Sequence, residues 1–158
     1  MIDINFKKLS PSATIPTKAH PTDACFDLYL DEPNSFYYNY DTNTYYQGVK
    51  IEPHTYVPLH TGLAAEIPDG YYAAIYARSG LSVKKGLRPT NCTGIIDNQY
   101  RGEWIVALYN DSNFSQVLDH KDRIAQFAIL PVLDVKLNEV EELSETERGT
   151  GGFGSSGK

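Results

Sequence analysis

Short segments built from Ile, Val, Leu and Tyr recur along this chain, each closed by a turn signal about every ten residues. This rhythm constrains the fold more than any other feature. Tyr71–Ala77 reads YYAAIYA, Glu103–Asn110 reads EWIVALYN and Arg123–Val135 reads RIAQFAILPVLDV. β-Branched and aromatic residues suit a pleated, half-buried strand surface. Between the apolar runs stand PDG at Pro68–Gly70 and EPHT at Glu52–Thr55, both of which are turn chemistry. One stretch breaks the pattern. SGLSVKK, Ser79–Lys85, reads as a short helix with Gly86 placed as its C-cap. The prediction is an all-β, jelly-roll-like domain with at most one short helix.

A chain of 158 residues is read as one domain that can bury a core without covalent staples. No apolar run approaches the length of a membrane span. The N-terminal MIDINFKKLS has no apolar signal region, and there are only two cysteines, Cys25 and Cys92. Both features predict a reducing, cytoplasmic setting. The net charge of −6 argues against a nucleic-acid polymer as partner, because tracking phosphates takes a basic surface. A small anion is another matter, since a few local Arg and Lys suffice to hold it.

The chemistry concentrates in five stretches. At Ala77–Gly86 a strand delivers Arg78, then Ser79 and Gly80 open the helical turn. Free N–H groups at such a start favour an anion, with the Arg78 fork, the Ser79 hydroxyl and the bare Gly80 backbone in support. An ordinary N-cap beside a surface Arg reads equally well. In NCTGIIDNQYRGEW, Asn91–Trp104, the amide of Asn91 offers both donor and acceptor to a nucleobase edge. Asp97 is placed to orient and deprotonate a water, or else to close a turn on itself. In KDRIAQF, Lys121–Phe127, Asp122 and Arg123 read as an ion pair at a hairpin, and Gln126 projects from the strand. Asp27, in TDACFDLYL, either faces solvent or holds a hydrated Mg²⁺, an ion that needs only one or two carboxylates beside phosphates. The tail RGTGGFGSSGK, Arg148–Lys158, combines one Arg, one Phe and three hydroxyls with five glycines. Composition alone reads it as a loose end, but Arg148 suits a phosphate, Phe153 a base, and Ser155 and Ser156 a terminal phosphate.

Two further stretches are unusual. Asp31–Gly48, DEPNSFYYNYDTNTYYQG, reads as a long hairpin with a polar tip, or more sharply as a protein-binding surface, because Tyr is enriched at recognition sites. Asn138–Arg148, NEVEELSETER, reads as an acidic connector, helical or hinge-like.

Taken together, RSGL, GIIDNQYRG, DRIAQ and ERGTGGFGSSG occur in the order and spacing of the motifs of the trimeric deoxyuridine triphosphatases, and the chain resembles that dUTPase family from about Pro16 onward. The Tyr-rich hairpin stands as an insertion. The resemblance implies a jelly-roll-like, β-clip dUTPase fold. It implies hydrolysis of dUTP to dUMP and pyrophosphate with Mg²⁺, which limits uracil in DNA and supplies dUMP for thymidylate synthesis. It also implies a homotrimer with active sites at subunit interfaces. By that resemblance Asp27 holds the metal through water, and Arg78, Ser79, Gly80 and Gln126 bind phosphates. Asn91, Gly94, Ile95 and Ile96 read uracil and sugar, Asp97 activates the attacking water, and Tyr100 rejects a 2′-hydroxyl. Residues 1–147 form the β domain. Arg148, Phe153, Gly154, Ser155 and Ser156 belong to a mobile C-terminal lid. The alternatives are a dCTP deaminase-like enzyme of the same fold, whose catalytic Glu aligns with Ala107 here, and a nucleotide-binding regulatory module acting through the Tyr-rich loop. Departures from the family pattern are Cys25 and Lys121 where Gly is common, Ala77 for Pro, and Ser156 for Thr.

Overall fold

A computed structural model of the chain describes residues 2–152. Phe153, Gly154, Ser155 and Ser156, assigned above to the lid, lie outside the described residues. The described residues form β1 (Asn5–Lys8), β2 (Phe26–Tyr29), β3 (Phe36–Asn39), β4 (Thr44–Ile51), β5 (Tyr56–His60), β6 (Leu63–Glu66) and β7 (Tyr71–Tyr76). There follow α1 (Ser79–Lys85), β8 (Leu87–Pro89), β9 (Thr93–Ile96), β10 (Ile105–Asn110), β11 (Gln116–Asp119) and β12 (Arg123–Pro131). The strands pair antiparallel in four small sheets, ordered β1-β6, β5-β10-β8, β11-β4-β3 and β2-β12-β7-β9. The fold is all-β and jelly-roll-like, as the rhythm of the sequence predicts.

One core draws on all four sheets. Trp104 and Phe127 are fully or almost fully buried and meet edge to face with ring centroids 5.1 Å apart, and Phe6 closes on Trp104 at 5.3 Å. Burying each such side chain stabilises the fold by about 1.5–3 kcal/mol. In β7 the consecutive residues Ala73, Ala74 and Ile75 are all buried, as a strand covered on both faces requires.

The single helix ends as predicted. Gly86 adopts φ 66°, and its N–H bonds the carbonyl of Ser82 at 3.1 Å. The left-handed conformation that closes the helix is cheap only for a residue without Cβ. Strand limits differ from the reading by a few residues. β10 starts at Ile105 because the Trp104 N–H goes instead to the Leu63 carbonyl at 2.8 Å. β12 stops at Pro131, which has no N–H to donate. Beyond it residues 132–150 are exposed and irregular, so the acidic run forms no helix.

The Tyr-rich stretch is a hairpin, β3–β4, with Tyr37 opposite Tyr46 and Tyr38 opposite Tyr45. The first pair stacks with centroids 5.6 Å apart and the second is tilted at 4.9 Å. At the tip the Asn39 side-chain oxygen accepts the N–H groups of Asp41 (2.9 Å) and Thr42 (3.2 Å), the local bonding that makes Asn a turn former.

Candidate active site

The sheet β2-β12-β7-β9 carries two chemically distinct clusters. At one end, Asp27, Gln126 and Tyr76 lie opposite one another across β2, β12 and β7. The Asp27 carboxylate is buried, with 8% of the residue exposed. It accepts Arg78 Nε at 2.7 Å on one oxygen and Arg123 Nη1 at 3.3 Å on the other. A carboxylate this deep needs such partners, because an unpaired buried charge is costly. Asp27 is therefore not solvent-facing. The predicted Asp122–Arg123 pair is also replaced. Arg123 reaches across to Asp27, while Asp122 Oδ2 accepts the N–H of Asp119 at 3.0 Å.

A register shift explains the exchange. In a regular strand, residues 123 and 126 face opposite sides. β12 slips by one residue between Arg123 and Ala125, which returns Arg123 to the face of Gln126 and Asp27. Gln126 donates its side-chain N–H to the Ala77 carbonyl at 2.9 Å and so holds the backbone that carries Arg78. These groups, with Cys25 and Asp23, line a polar cleft of about 370 Å³. Partial burial pushes the Cys25 thiol pKa up, with Lys18 opposing and Asp27 adding to the rise.

Arg78 occupies the N-cap position of α1, but no side chain caps the helix. The Arg78 carbonyl accepts the N–H groups of Leu81 and Ser82, both at 3.0 Å. The N–H groups of Ser79 and Gly80 precede the first helical bond, and both residues are exposed. The ordinary-cap reading is thus set aside. Arg78, its guanidinium on Asp27, leads directly into a helix start that no side chain caps, and guanidinium and free N–H groups both attract phosphate oxygens.

The second cluster runs along β9, at the opposite edge of the sheet. β9 is an edge strand, paired with β7 on one side only, so its outer N–H and C=O groups are open to a ligand. At its entry Cys92 takes φ 60° and Thr93 N–H bonds the Asn91 carbonyl at 2.6 Å, turning the exposed Asn91 toward the strand start. Gly94 is buried so tightly that a Cβ there would lie 3.3 Å from Ile75 Cβ and 3.5 Å from the Asn91 amide nitrogen. Ile95 is exposed and Ile96 half-buried. At the exit of β9, Asp97 lines a cleft of about 480 Å³ with Tyr71, Tyr72, Asn98, Tyr100 and Val132. The Tyr100 N–H bonds the Asp97 carbonyl at 3.1 Å, and the Tyr100 hydroxyl donates to the Glu103 carbonyl at 3.0 Å. Glu103 is pinned in turn by His60 Nδ1 at 2.9 Å and by the Gly62 N–H at 2.8 Å. The hydrogen bond to Glu103 raises the His60 pKa against its partial burial.

Within one chain Asp97 does not meet the Asp27 cluster. Ile96 pairs with Ala73, and Thr93 pairs with Tyr76. Asp97 therefore stands opposite Tyr72, four residues from Tyr76, about 13 Å along the strand, and β9 lies three strands from β2, about 14 Å across. Arg148 joins neither cluster. It lies in the exposed segment and donates Nε–H to the Gly151 carbonyl at 2.9 Å. The sequence reading missed Arg123 as the second partner of Asp27, since no local pattern signals a slipped register. It also missed Glu103 and Asn98, which act through contacts with residues distant in sequence.

Among the described residues no group of three or more His, Cys, Asp and Glu side chains is arranged to hold a metal. A cation here would depend on ligand oxygens and water. Asp27 fits that outer role, because each carboxylate oxygen accepts one guanidinium and keeps a lone pair for a metal-bound water. No helix among the described residues is long and apolar enough to cross a membrane.

The sheet thus joins a buried carboxylate held by two guanidinium groups to an open edge strand that ends in an exposed carboxylate. The comparisons with known proteins give the family. The dUTPase family model matches residues 11–157. The deoxyuridine 5′-triphosphate nucleotidohydrolase of Nautilia profundicola is 43% identical over 155 residues, covering 98% of this chain and 99% of the relative. Its counterpart in Picosynechococcus is 41% identical over 150 residues, 95% of each. A G164S mutant of the Staphylococcus bacteriophage 80alpha dUTPase, solved with dUpNHpp, superposes with a TM-score of 0.82 at 29% identity, covering 99% of both chains. The chain belongs to the dUTPase family.

Proposed function

We propose that this chain hydrolyses dUTP to dUMP and pyrophosphate, with Asp97 as the general base. The observation that carries the reading is the exit of β9, where an open strand edge runs directly into an exposed carboxylate beside Tyr100. A uracil ring bonds the open edge of β9 and the Asn91 amide. The bare backbone at Gly94 lets the base approach the strand closely, which rejects a thymine methyl, and Tyr100 lies under the deoxyribose and rejects a 2′-hydroxyl. The α-phosphorus then sits near Asp97. Asp97 takes a proton from a water whose oxygen forms the new bond to phosphorus, and the bond to the bridging oxygen breaks, releasing pyrophosphate.

Arg78, Ser79, Gly80 and Gln126 cradle the phosphates. Asp27 would hold a Mg²⁺ ion through its water, and the ion would supply charge neutralisation at the phosphates. The position opposite Asp97 lies about 13 Å along β7 from Tyr76, beyond which Arg78 follows, too far for cradle and base to reach one phosphorus from the same chain. This separation supports a homotrimer in which one subunit gives the cradle and another gives the base and edge. Residues 1–147 serve as the body and residues 148–158 as a lid that brings Arg148, Phe153, Gly154, Ser155 and Ser156 over the nucleotide. A cytoplasmic location fits two free cysteines. Deamination is disfavoured, because the methyl of Ala107 has no proton to exchange. Pyrophosphate release measured across the deoxynucleoside triphosphates is the test. Release from dUTP alone is expected, whereas ammonia from dCTP would overturn the reading.

One observation favours an added role for the hairpin. Phe36, Tyr40 and Tyr45 are 61%, 85% and 70% exposed, an aromatic surface that suits a protein partner. A pull-down with and without residues 31–48 tests it, and equal recovery of partners counts against it.

A further inference from the structure

The loop that carries Asp97 is fastened from outside. Asn98, its immediate neighbour, donates Nδ2–H to Asp69 Oδ1 at 2.6 Å. Arg101 bonds the Asn98 carbonyl, donates to the Tyr100 carbonyl at 3.2 Å, and stands 3.8 Å from the Glu66 carboxylate. Of the two anchors, Glu66 closes β6 and Asp69 lies in the turn that joins β6 to β7.

That segment is a firm support. Ile67 is buried in the core, and Pro68 fixes its own φ. The Tyr71 N–H closes the turn on the Pro68 carbonyl at 3.3 Å, and the Gly70 carbonyl accepts the Val132 N–H at 2.8 Å. Because β7 and β9 are antiparallel, the start of β7 and the exit of β9 fall at the same end of the sheet. The PDG turn is thereby delivered beside Asp97.

We infer that Asp69 is a positioning residue for the reaction: by holding Asn98 it fixes where the Asp97 carboxylate points. This rests on the reading of Asp97 as the base. A base must stay within hydrogen-bond reach of the attacking water, and a misplacement of about 1 Å can cost up to about a hundredfold in rate. The substrate contacts of β9 precede this clasp in the chain and keep their own ladder with β7. Loosening Asn98 therefore slows turnover and leaves binding in place.

The test compares steady-state kinetics of the full chain with dUTP for D69A, D69N, N98A and the D69A/N98A double variant, with D97N in parallel. D69A and N98A are each expected to lower kcat about tenfold with KM within about twofold, and the double variant to be no worse than either alone. D69N, which keeps an oxygen to accept the Asn98 amide, is expected to recover most of kcat. The inference is overturned if D97N is inactive while D69A turns over like the parent, if the two single losses multiply in the double variant, or if D69N is as slow as D69A. Substantial turnover by D97N would instead remove the reading of Asp97 itself.

Discussion

Gly102 offers a direct way to disturb sugar selection without touching a reacting group. A Cβ at this position would fall 2.5 Å from Tyr100 Oη, 2.6 Å from Cζ and 3.0 Å from Cε2. Ordinary contact begins at 3.4 Å, so Gly102→Ala must drive the phenol end of Tyr100 away by at least 3.4 − 2.5 = 0.9 Å. That movement breaks the 3.0 Å bond from Tyr100 to the Glu103 carbonyl. The bond is worth about 1 kcal/mol, roughly fivefold, and the displacement itself adds up to about a hundredfold where alignment matters. kcat/KM for dUTP is expected to fall between about 5- and 100-fold. UTP, already rejected by the parent, loses less, so the dUTP/UTP ratio narrows about tenfold. The assay is pyrophosphate release from each nucleotide. The thermal midpoint should fall by only about 2–4 °C, the shift that loss of one such bond brings. An unchanged ratio would refute the role given to Tyr100.

Asp27→Ala leaves Arg78 without its charge-assisted partner at a site only 23% exposed and removes a weaker tie to the half-exposed Arg123. A loss of about 2–3 kcal/mol, seen as a lower urea midpoint at constant m-value, is expected. The His60–Glu103 pair gives a pH signature. The folded pKa of His60 is raised, so its contribution is fully present below its unfolded value of 6.5 and fades as pH rises through the folded pKa. The gap in urea midpoint between the parent and His60→Gln should therefore be wider at pH 6 than at pH 8. It should stay below about 1 kcal/mol, because the ring is half exposed. Removal of residues 148–158 should leave a folded protein of unchanged size with little dUTP turnover, and full activity in that truncation would refute the lid.

The fold was legible in the sequence because its strands follow the ordinary rule: each apolar run met a turn residue, and the helix carried its own stop at Gly86. Arg78, Asp97 and Tyr100 stand out in the sequence as types of group in a recurring order. What stayed hidden depends on pairing between distant segments. The shifted register of β12, which turns Arg123 onto Asp27 rather than Asp122, leaves no trace in local sequence. Nor does the clasp between Asp69 and Asn98, which exists only because β7 and β9 run antiparallel. The acidic run is the connector its composition suggests: its residues are compatible with a helix, but an isolated segment with no core to pack on gains too little to form one.

Subunit complementation tests the shared site most directly. Arg78→Ala removes the cradle and Asp97→Asn removes the base, and each variant alone should be nearly inactive on dUTP. Co-refolded from an equal mixture, they should regain turnover, because some interfaces then pair an intact cradle from one chain with an intact carboxylate from another. A mixture as dead as its components would contradict the account.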